Sequence, residues 1–287
     1  MPLRLGKRRY DEHDLLVMAI VNRTPDSFYD RGETFALQAA VDKAVRAVEL
    51  GADIVDIGGV KAGPGTEVST QEELDRVAPV VEALRRERDD VVISIDTYRA
   101  EVAEEVLRRG CDLVNDSWGG ADPRMADVVA RYDAALVCSH VGGLSPRTDP
   151  HRVRYADVVA DVIATCTRLA EDAVARGVRR DSVLIDPCHD FAKNTRHSLE
   201  VTRRLDELVA TGWPVLVALS NKDFVGESLD LGRLERVPGT LAATVYSAMR
   251  GARVFRAHNV AETRQALDML AVIEGWREPA RTIRALA

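Results

Sequence analysis

The chain has 287 residues, of which 46% are apolar and only 5% aromatic, so its core is large and predominantly aliphatic. The formal net charge is −7 and the basic residues form no block, which argues against a nucleic acid as the main partner. No segment approaches the roughly 20 apolar residues that a membrane-spanning helix requires. The N-terminus is charged and lacks the apolar segment of a secretory signal.

The cysteines are scattered along the chain and include no C-x-x-C pair. They occupy positions 111, 138, 166 and 188. This distribution favours free thiols in a reducing compartment over disulfides or a zinc site. We therefore expect a cytoplasmic protein with no membrane partner.

Strands and helices alternate along the chain. The first predicted strand, Leu15 to Val21, is apolar throughout, which is typical of a strand covered on both faces, and a polar loop follows from Asn22. The predicted strands begin at residues 15, 54, 91, 113, 134, 183, 215 and 254. The helices, recognised by apolar residues at helical spacing, are predicted over about 36–50, 71–86, 100–109, 125–132, 156–176, 198–210, 239–249 and 261–274.

Eight strand–helix units predict a parallel sheet with right-handed crossovers, closed into a (β/α)8 TIM barrel. We place an N-terminal extension at residues 1–14, the barrel at 15–275 and a C-terminal tail at 276–287. A doubly wound open sheet is the alternative, because closure of a barrel cannot be deduced from the alternation of elements.

Polar residues directly follow most of the predicted strands. These residues are Asn22, Asp96, Asn115, His140, Asp186, Lys222, Arg256 and His258. In a TIM barrel the C-terminal ends of the strands form the site, so we expect all of these side chains to face one opening. The alternative for any single member, such as Asp96, is a helix cap or a turn.

The chemistry of this set indicates a ligand class. Carboxylates at Asp96 and Asp186, the Asn115 amide and the Lys222 ammonium together suit a flat heterocycle that carries N–H donors and a carbonyl. Cationic side chains further along suit a phosphate or pyrophosphate. These are Arg256 and His258, two residues apart on one strand. Asn22 could hold a Mg²⁺ ion that mainly uses phosphate oxygens and water.

Two weaker patterns occur in the loops. Cys188-His189-Asp190 has the order of a nucleophile, a base and an acid, but adjacent side chains rarely point at one another, so we do not expect a catalytic trio. The glycine-rich stretch 58–65 could cradle an anion, although a flexible loop explains it better.

At these residues the chain resembles the dihydropteroate synthase family of pterin-binding enzymes, over about Leu16 to Leu270. The matching segments are MAIVNRTPDSFYDRG, ISIDTYRAEVAEEVLRRGCDLVNDSWGG, LIDPCHDF, LSNKDFVG and FRAHNV. The resemblance implies pterin-binding positions at Asp96, Asn115, Asp186 and Lys222, pyrophosphate-binding positions at Arg256 and His258, and a Mg²⁺ position at Asn22. It also implies condensation of 6-hydroxymethyl-dihydropterin pyrophosphate with 4-aminobenzoate in folate biosynthesis, carried out by a homodimer.

The departures from the family cluster on the side expected to bind 4-aminobenzoate. Ala62 and Gly63 replace the threonine and arginine of the family's second loop, and Asp223 replaces a serine near the aminobenzoate carboxylate. The family's Gly-Phe-Gly-Phe-Gly becomes residues 188–192, which keep only Phe191. A carboxylate 4 Å from another would cost about 4 kcal/mol at an effective dielectric near 20. We therefore expect weak or no activity with 4-aminobenzoate, as in divergent second copies of the family.

Two cations are also new in this chain relative to the family, Arg23 and Lys61, and we expect them near the pyrophosphate.

Other functions remain open. The chain could be an active dihydropteroate synthase or a transferase with another acceptor, or a non-catalytic pterin-binding or structural homodimer. A folate-binding methyltransferase barrel would share the pterin carboxylates but would have no use for Arg256 and His258.

Overall fold

Parallel strands form a closed ring in the computed structural model, which describes residues 2–23, 33–61, 63, 65–148 and 153–284. The ring consists of β3 (Leu16–Asn22), β4 (Ile54–Gly58), β5 (Val92–Asp96), β6 (Leu113–Asp116), β7 (Ala135–Ser139), β8 (Val183–Asp186), β9 (Leu216–Val217) and β10 (Val254–Ala257). Each strand pairs with the next, and β10 pairs with both β9 and β3. A parallel bridge between Ile185 and Val215 joins β8 to the start of β9. The predicted barrel is confirmed.

Helices surround the ring. They are α1 (Glu33–Glu49), α2 (Thr70–Glu87), α3 (Ala100–Arg108), α4 (Met125–Arg131), α5 (Val158–Ala175), α6 (Thr195–Arg203), α7 (Leu205–Val209), α8 (Asp223–Leu229), α9 (Val237–Met249) and α10 (Val260–Ile273). The single helix predicted over 198–210 is two helices that meet at Arg204. Helix α8 was missed because its seven residues include Gly226 and are too few to show a helical period. No described helix combines the length and apolarity needed to cross a membrane.

The apolar core has two layers. The larger one lies between the strands and the helices and is rich in valine and alanine, such as Val55, Val77 and Ala103. The smaller one fills the inside of the barrel with the first inward-facing residue of most strands, including Leu16, Ile54 and Val254. Successive side chains of a strand alternate between the two layers.

A short antiparallel hairpin closes the N-terminal end of the barrel. Its strands are β1 (Leu3–Leu5) and β2 (Arg8–Tyr10), and Gly6 between them has a φ of 56°, which favours glycine. Leu3 and Leu5 are fully buried in the same apolar layer as Leu16 and Ile54. The segment that the sequence suggested as an extension therefore contributes to the core of the barrel.

Inside the barrel, the inward-facing side chains change from apolar to polar along each strand. In β5 the inward positions are Val92, Ser94 and Asp96, and in β10 they begin with Val254 and Arg256. Ionisable groups therefore gather at the C-terminal ends of the strands, while the hairpin keeps the other end apolar. This arrangement places the functional site at the C-terminal opening.

Candidate functional site

A cleft of about 680 Å³ lies at the C-terminal ends of the strands. The predicted site residues that line it are Asn22, Gly63, Asp96, Phe191, Lys222, Asp223, Arg256 and His258. Asn115 and Asp186 are buried and do not line the cleft, although each is linked to residues that do. The expectation that these side chains gather at one opening is therefore met for most of the set.

The floor of the cleft contains an arginine between two carboxylates. Arg256 Nε donates to Asp56 Oδ2 at 2.6 Å, and Arg256 Nη2 donates to Asp96 Oδ2 at 2.8 Å. Asp56 also accepts hydrogen bonds from the Ser94 hydroxyl at 2.6 Å and from Asn115 Nδ2 at 3.2 Å. The two groups expected to bind different halves of the ligand are thus joined in one buried network.

Burial and charge act in opposite directions on this network. Burial raises the pKa of Asp96 to about 6; Arg256 opposes the shift and Asp56 adds to it. Burial disfavours the charge of Arg256, but Asp56 and Asp96 outweigh burial and raise the pKa of the guanidinium. Arg256 therefore stays charged, whereas Asp96 can gain a proton in mildly acidic solution.

Asp56 was missed in the sequence because it lies within a predicted strand rather than after one. The available signal was the two-residue period of the strand: Asp56 is two residues after the inward-facing Ile54, as Ser94 is after Val92. A polar side chain at such a position must find buried partners, and here it finds Arg256.

Asp186 and Lys222 form a second charged group at the cleft. Burial raises the pKa of Asp186, while the Cys188 amide, which donates to Asp186 Oδ1 at 2.7 Å, and Lys222 lower it. Lys222 Nζ donates to the His189 carbonyl at 2.8 Å and lies 4.5 Å from the centre of the Phe191 ring. Burial lowers the pKa of Lys222. This group therefore offers an ammonium, a buried carboxylate and an aromatic face within one small region.

His258 is surrounded by cations. Its Nδ1 lies 3.1 Å from the Ser220 hydroxyl. Burial, together with the charges of Arg256, Lys43, Arg233 and Lys222, lowers the pKa of His258 to about 4. His258 is thus neutral at pH 7, so it supplies a hydrogen bond and not the positive charge that the sequence suggested. The charge comes from its neighbours, of which Lys43 and Arg233 were not identified because they lie on other elements.

The metal position predicted at Asn22 has limited protein ligands. A Cβ on Gly58 would lie 3.1 Å from Asn22 Oδ1 and 3.9 Å from Asp96 Oδ2, so both oxygens face the space above Gly58. Within the described ranges, no group of three His, Cys, Asp or Glu residues is placed to hold a metal ion. These donors fit a Mg²⁺ ion only if phosphate oxygens and water supply most of its ligands.

His140 does not face the cleft, contrary to the expectation. It is fully buried, with Nε2 at 2.8 Å from Asp161 Oδ1 and Nδ1 at 2.7 Å from Lys193 Nζ. Lys193 also donates to the carbonyls of Cys188 and Phe191. This group holds the loop that follows β8.

Residues 188–190 form no catalytic trio. His189 Nε2 contacts the Thr202 hydroxyl at 3.0 Å, and Asp190 contacts Ser198 and the backbone of residues 223 and 224. Neither side chain is directed at Cys188, and burial raises the pKa of the Cys188 thiol far above its usual value. The interpretation of this motif as non-catalytic agrees with these contacts.

On the side of the cleft expected to bind the acceptor, we expected the Asp223 carboxylate to repel 4-aminobenzoate, and the structure differs from that expectation. Asp223 lines the cleft, but Arg236 forms an ion pair with it at 2.8 Å and the Asp223 side chain is 79% exposed. Its charge is therefore largely compensated. Gly63 lines the cleft, and no atom of the described residues lies within 4 Å of a Cβ added there, while Ala62 lies outside the described residues.

The two extra cations separate in the structure. Lys61 lines the cleft. Arg23 is not among the cleft-lining residues and donates to the carbonyls of Asp75 and Arg76 in α2, so its place near the pyrophosphate stays a prediction.

A second cleft, of about 600 Å³, lies at the opposite end of the barrel. Its charged side chains pair with one another: Arg264 with Asp53 and Asp268, and Arg277 with Asp268. These ion pairs join α10 and the following segment to the strands. In this fold the N-terminal end serves stability, so the cleft at the C-terminal end remains the candidate site.

Comparisons with known proteins assign the chain to a family. Residues 18–258 match the family described as pterin binding enzyme. The chain is 59% identical to inactive dihydropteroate synthase 2 of Mycobacterium leprae over 276 residues, 95% of each chain. It is 41% identical to dihydropteroate synthase of Staphylococcus haemolyticus over 261 residues, 88% of this chain and 94% of that protein.

Solved structures show the same fold. Dihydropteroate synthase of Xanthomonas albilineans, solved with 4-aminobenzoic acid, superposes with a TM-score of 0.87 at 35% identity, covering 95% of this chain and 98% of the other. The fold, the extent of the family match and the identity to these relatives lead to one conclusion. The chain belongs to the pterin-binding enzyme family and is a homologue of dihydropteroate synthase.

Proposed function

We propose that the cleft binds 6-hydroxymethyl-dihydropterin pyrophosphate or a closely similar pterin, and that condensation with 4-aminobenzoate is weak or absent. The observation that carries this proposal is the continuous buried network at the floor, where carboxylates, an amide and an arginine meet beside a cationic rim. Such a network is costly to bury unless a ligand or the fold makes use of it. The polar floor would bind the pterin ring of the ligand, and the cationic rim would bind its pyrophosphate.

The polar floor suits the pterin ring. Asp96 lines the cleft and can accept hydrogen bonds from ring N–H groups. Asp186 can accept and the Asn115 amide can both donate and accept, and the ring would reach these two buried groups by entering the floor between the cleft-lining residues. Lys222 can donate to the ring carbonyl once it leaves the His189 carbonyl, which it contacts at 2.8 Å. Arg256 keeps Asp96 ionised at neutral pH, and Asp96 is then ready to accept.

The cationic rim suits the pyrophosphate. Lys43, Lys222, Arg233 and Arg256 all influence His258, so a diphosphate beside His258 would meet several positive charges. Asn22 would hold a Mg²⁺ ion shared with the phosphate oxygens. When bound, that ion would offset the charge of the leaving pyrophosphate.

The proposal of lost activity rests on the acceptor side and on the relatives. Proteins 56–59% identical to this chain are named inactive dihydropteroate synthase 2, whereas those near 40% are named dihydropteroate synthase. The acceptor side differs from the family at Ala62, Gly63 and Asp223, while Phe191 is kept. An active transferase that uses another acceptor is the second candidate, and the acidic character of this side favours it.

Assembly and location are further parts of the proposal. Exposed apolar side chains on α9 and α10 support a homodimer, because such surfaces commonly mark protein contacts. They are Tyr246, Met249, Met269 and Ile273. The cysteines at positions 111, 138, 166 and 188 are buried free thiols, which supports a location in the reducing cytoplasm.

Calorimetry with the pterin pyrophosphate and Mg²⁺ tests the binding proposal. We expect one site per chain for the wild type and loss of measurable binding in Asp186→Ala, because that variant removes a buried acceptor at the floor. Asp206→Ala, which changes an aspartate in α7 outside the cleft-lining set, is the control and should bind normally. Equal affinity of wild type and Asp186→Ala would reject the assignment of the pocket. Dihydropteroate formation, assayed separately, at the rate of an active dihydropteroate synthase would reject the weak or lost activity.

A further inference from the structure

The loop after β8 has an unusual backbone. Cys188, Asp190 and Ala192 have φ values of 49°, 65° and 51°, in the left-handed region that favours glycine. A residue with a side chain is strained in this conformation unless its surroundings impose it. Every second residue of the loop therefore has a backbone conformation that favours glycine, although each of these residues carries a side chain.

Of these three residues, Asp190 has the side chain that contacts the acceptor side of the cleft. Its Oδ2 accepts hydrogen bonds from the backbone amides of Asp223 and Phe224, at 2.6 and 3.3 Å. Its Oδ1 accepts from the Ser198 hydroxyl at 3.0 Å, and the Ser198 oxygen accepts from the Asp190 amide at 3.1 Å. Glycine at this position would make none of the carboxylate contacts.

These contacts hold Asp190 in a fixed position in the cleft wall. Asp190 lines the cleft next to Phe191. Residues 189–191 also contact residues 222–224 through three further interactions, one of which is the contact of Lys222 Nζ with the Phe191 ring. Lys222 donates to the His189 carbonyl, and the His189 and Phe224 rings stack at 5.6 Å. The carboxylate therefore cannot turn away from the cleft without breaking several hydrogen bonds.

The charge of Asp190 is compensated differently from that of Asp223. The donors that contact Asp190 are a hydroxyl and two backbone amides, all neutral. Asp223, in contrast, is paired with Arg236 and is mostly exposed. The charge of Asp190 also interacts with that of Lys222, but within the described residues no ion pair joins the two side chains. Asp190 therefore places a fixed carboxylate on this side of the cleft, held by two backbone amides.

We propose that Asp190 determines acceptor specificity: it excludes amines that carry a carboxylate and admits neutral or cationic arylamines. This inference rests on the proposed function. In the reaction the amine nitrogen forms a bond to the pterin methylene carbon, the C–O bond to pyrophosphate breaks, and pyrophosphate leaves with the electron pair. The proton lost by the nitrogen passes to solvent.

The test compares two acceptors of nearly equal shape, anionic 4-aminobenzoate and neutral 4-aminobenzamide. Their dissociation constants are measured by calorimetry on the full chain saturated with 6-hydroxymethylpterin, pyrophosphate and Mg²⁺. For the wild type we expect 4-aminobenzamide to bind at least tenfold more tightly. In Asp190→Gly, which the left-handed backbone tolerates, this preference should fall at least tenfold.

Two further variants separate charge from structure. Asp190→Asn tolerates the left-handed backbone and removes the charge, and its amide oxygen can still accept from the Asp223 and Phe224 amides while its NH2 group faces the Ser198 oxygen. A purely structural role would therefore leave the preference unchanged. We expect the preference to fall several-fold in this variant while the melting temperature stays near that of the wild type. Asp206→Asn, which removes a carboxylate charge in α7 outside the cleft-lining residues, is the matched control and should change the preference less than threefold.

The outcomes are distinct. An unchanged preference in both Asp190 variants, a wild-type preference for 4-aminobenzoate, or binding of neither amine by any variant would overturn the specificity role. Failure of the pterin pyrophosphate itself to bind, measured separately, would instead reject the proposed function.

Discussion

At the scale of single residues, Asp56 explains the character of the site. It is fully buried and connects Arg256, Asn115 and Ser94, so it links the residues expected to bind the pterin with those expected to bind the pyrophosphate. The residues that end strands, such as Asp96, could be predicted from the sequence because a polar side chain after an apolar run is conspicuous. Asp56 could not be found in that way, since its role depends on which strands become neighbours.

Asp56→Asn should destabilise the protein by about 3 kcal/mol, because it leaves Arg256 with one carboxylate in a buried setting. Urea unfolding measures this change. Ser94→Ala, which removes one hydrogen bond to the same carboxylate, is the control and should cost about 1 kcal/mol. A cost for Asp56→Asn no greater than that of Ser94→Ala would show that the ion pair does not stabilise the fold.

The affinity for the pterin pyrophosphate should depend on pH through Asp96. The carboxylate must be ionised to accept hydrogen bonds, and its pKa in the free protein is about 6. We therefore expect affinity to be constant above pH 7 and to fall, by up to about tenfold per pH unit, below pH 6. Calorimetry from pH 5 to pH 8 tests this, with Asp96→Asn as the control. Parallel profiles for the two proteins would assign the pH dependence to another group.

At the scale of elements, the loop after β8 shows where sequence reasoning reaches its limit. The strand and its terminal Asp186 were predictable from the apolar run before them. The left-handed residues at 188, 190 and 192 were not, because cysteine, aspartate and alanine rarely adopt that conformation. The conformation is imposed by Lys193, which donates to two carbonyls of the loop, and by Tyr155, which donates to the Ala192 carbonyl.

Ala192→Gly should raise the free energy of unfolding by about 0.5 kcal/mol, because glycine adopts a φ of 51° without strain. Thermal and urea unfolding measure this gain. Ala242→Gly, in the exposed middle of α9, makes the same chemical change in a helical residue and should instead cost about 1 kcal/mol. If both variants lose stability equally, the loop carries no backbone strain at this residue.

At the scale of the whole molecule, the barrel separates stability from binding. Leu3 and Leu5 of the hairpin fill the N-terminal end of the barrel, while ionisable groups face the cleft at the other end. The strand–helix alternation allowed the barrel to be predicted. The packing of the hairpin could not be predicted, because its two three-residue strands are too short to show a period.

Leu5→Ala should destabilise the protein by about 3 kcal/mol by leaving a cavity in the barrel interior. Arg9→Ala, an exposed position in the same hairpin, should change stability by less than about 0.5 kcal/mol. At temperatures where Leu5→Ala remains folded, its affinity for the pterin pyrophosphate should equal that of the wild type. A weaker affinity would show that the two ends of the barrel are coupled.

The most direct test of the account is a crystal structure of the chain soaked with 6-hydroxymethyl-dihydropterin pyrophosphate and Mg²⁺. We expect the ring on the floor of the cleft, in contact with Asp96, Asn115, Asp186 and Lys222, and the diphosphate beside His258. Density for the ligand outside this cleft, or an empty cleft at a saturating concentration, would contradict the account.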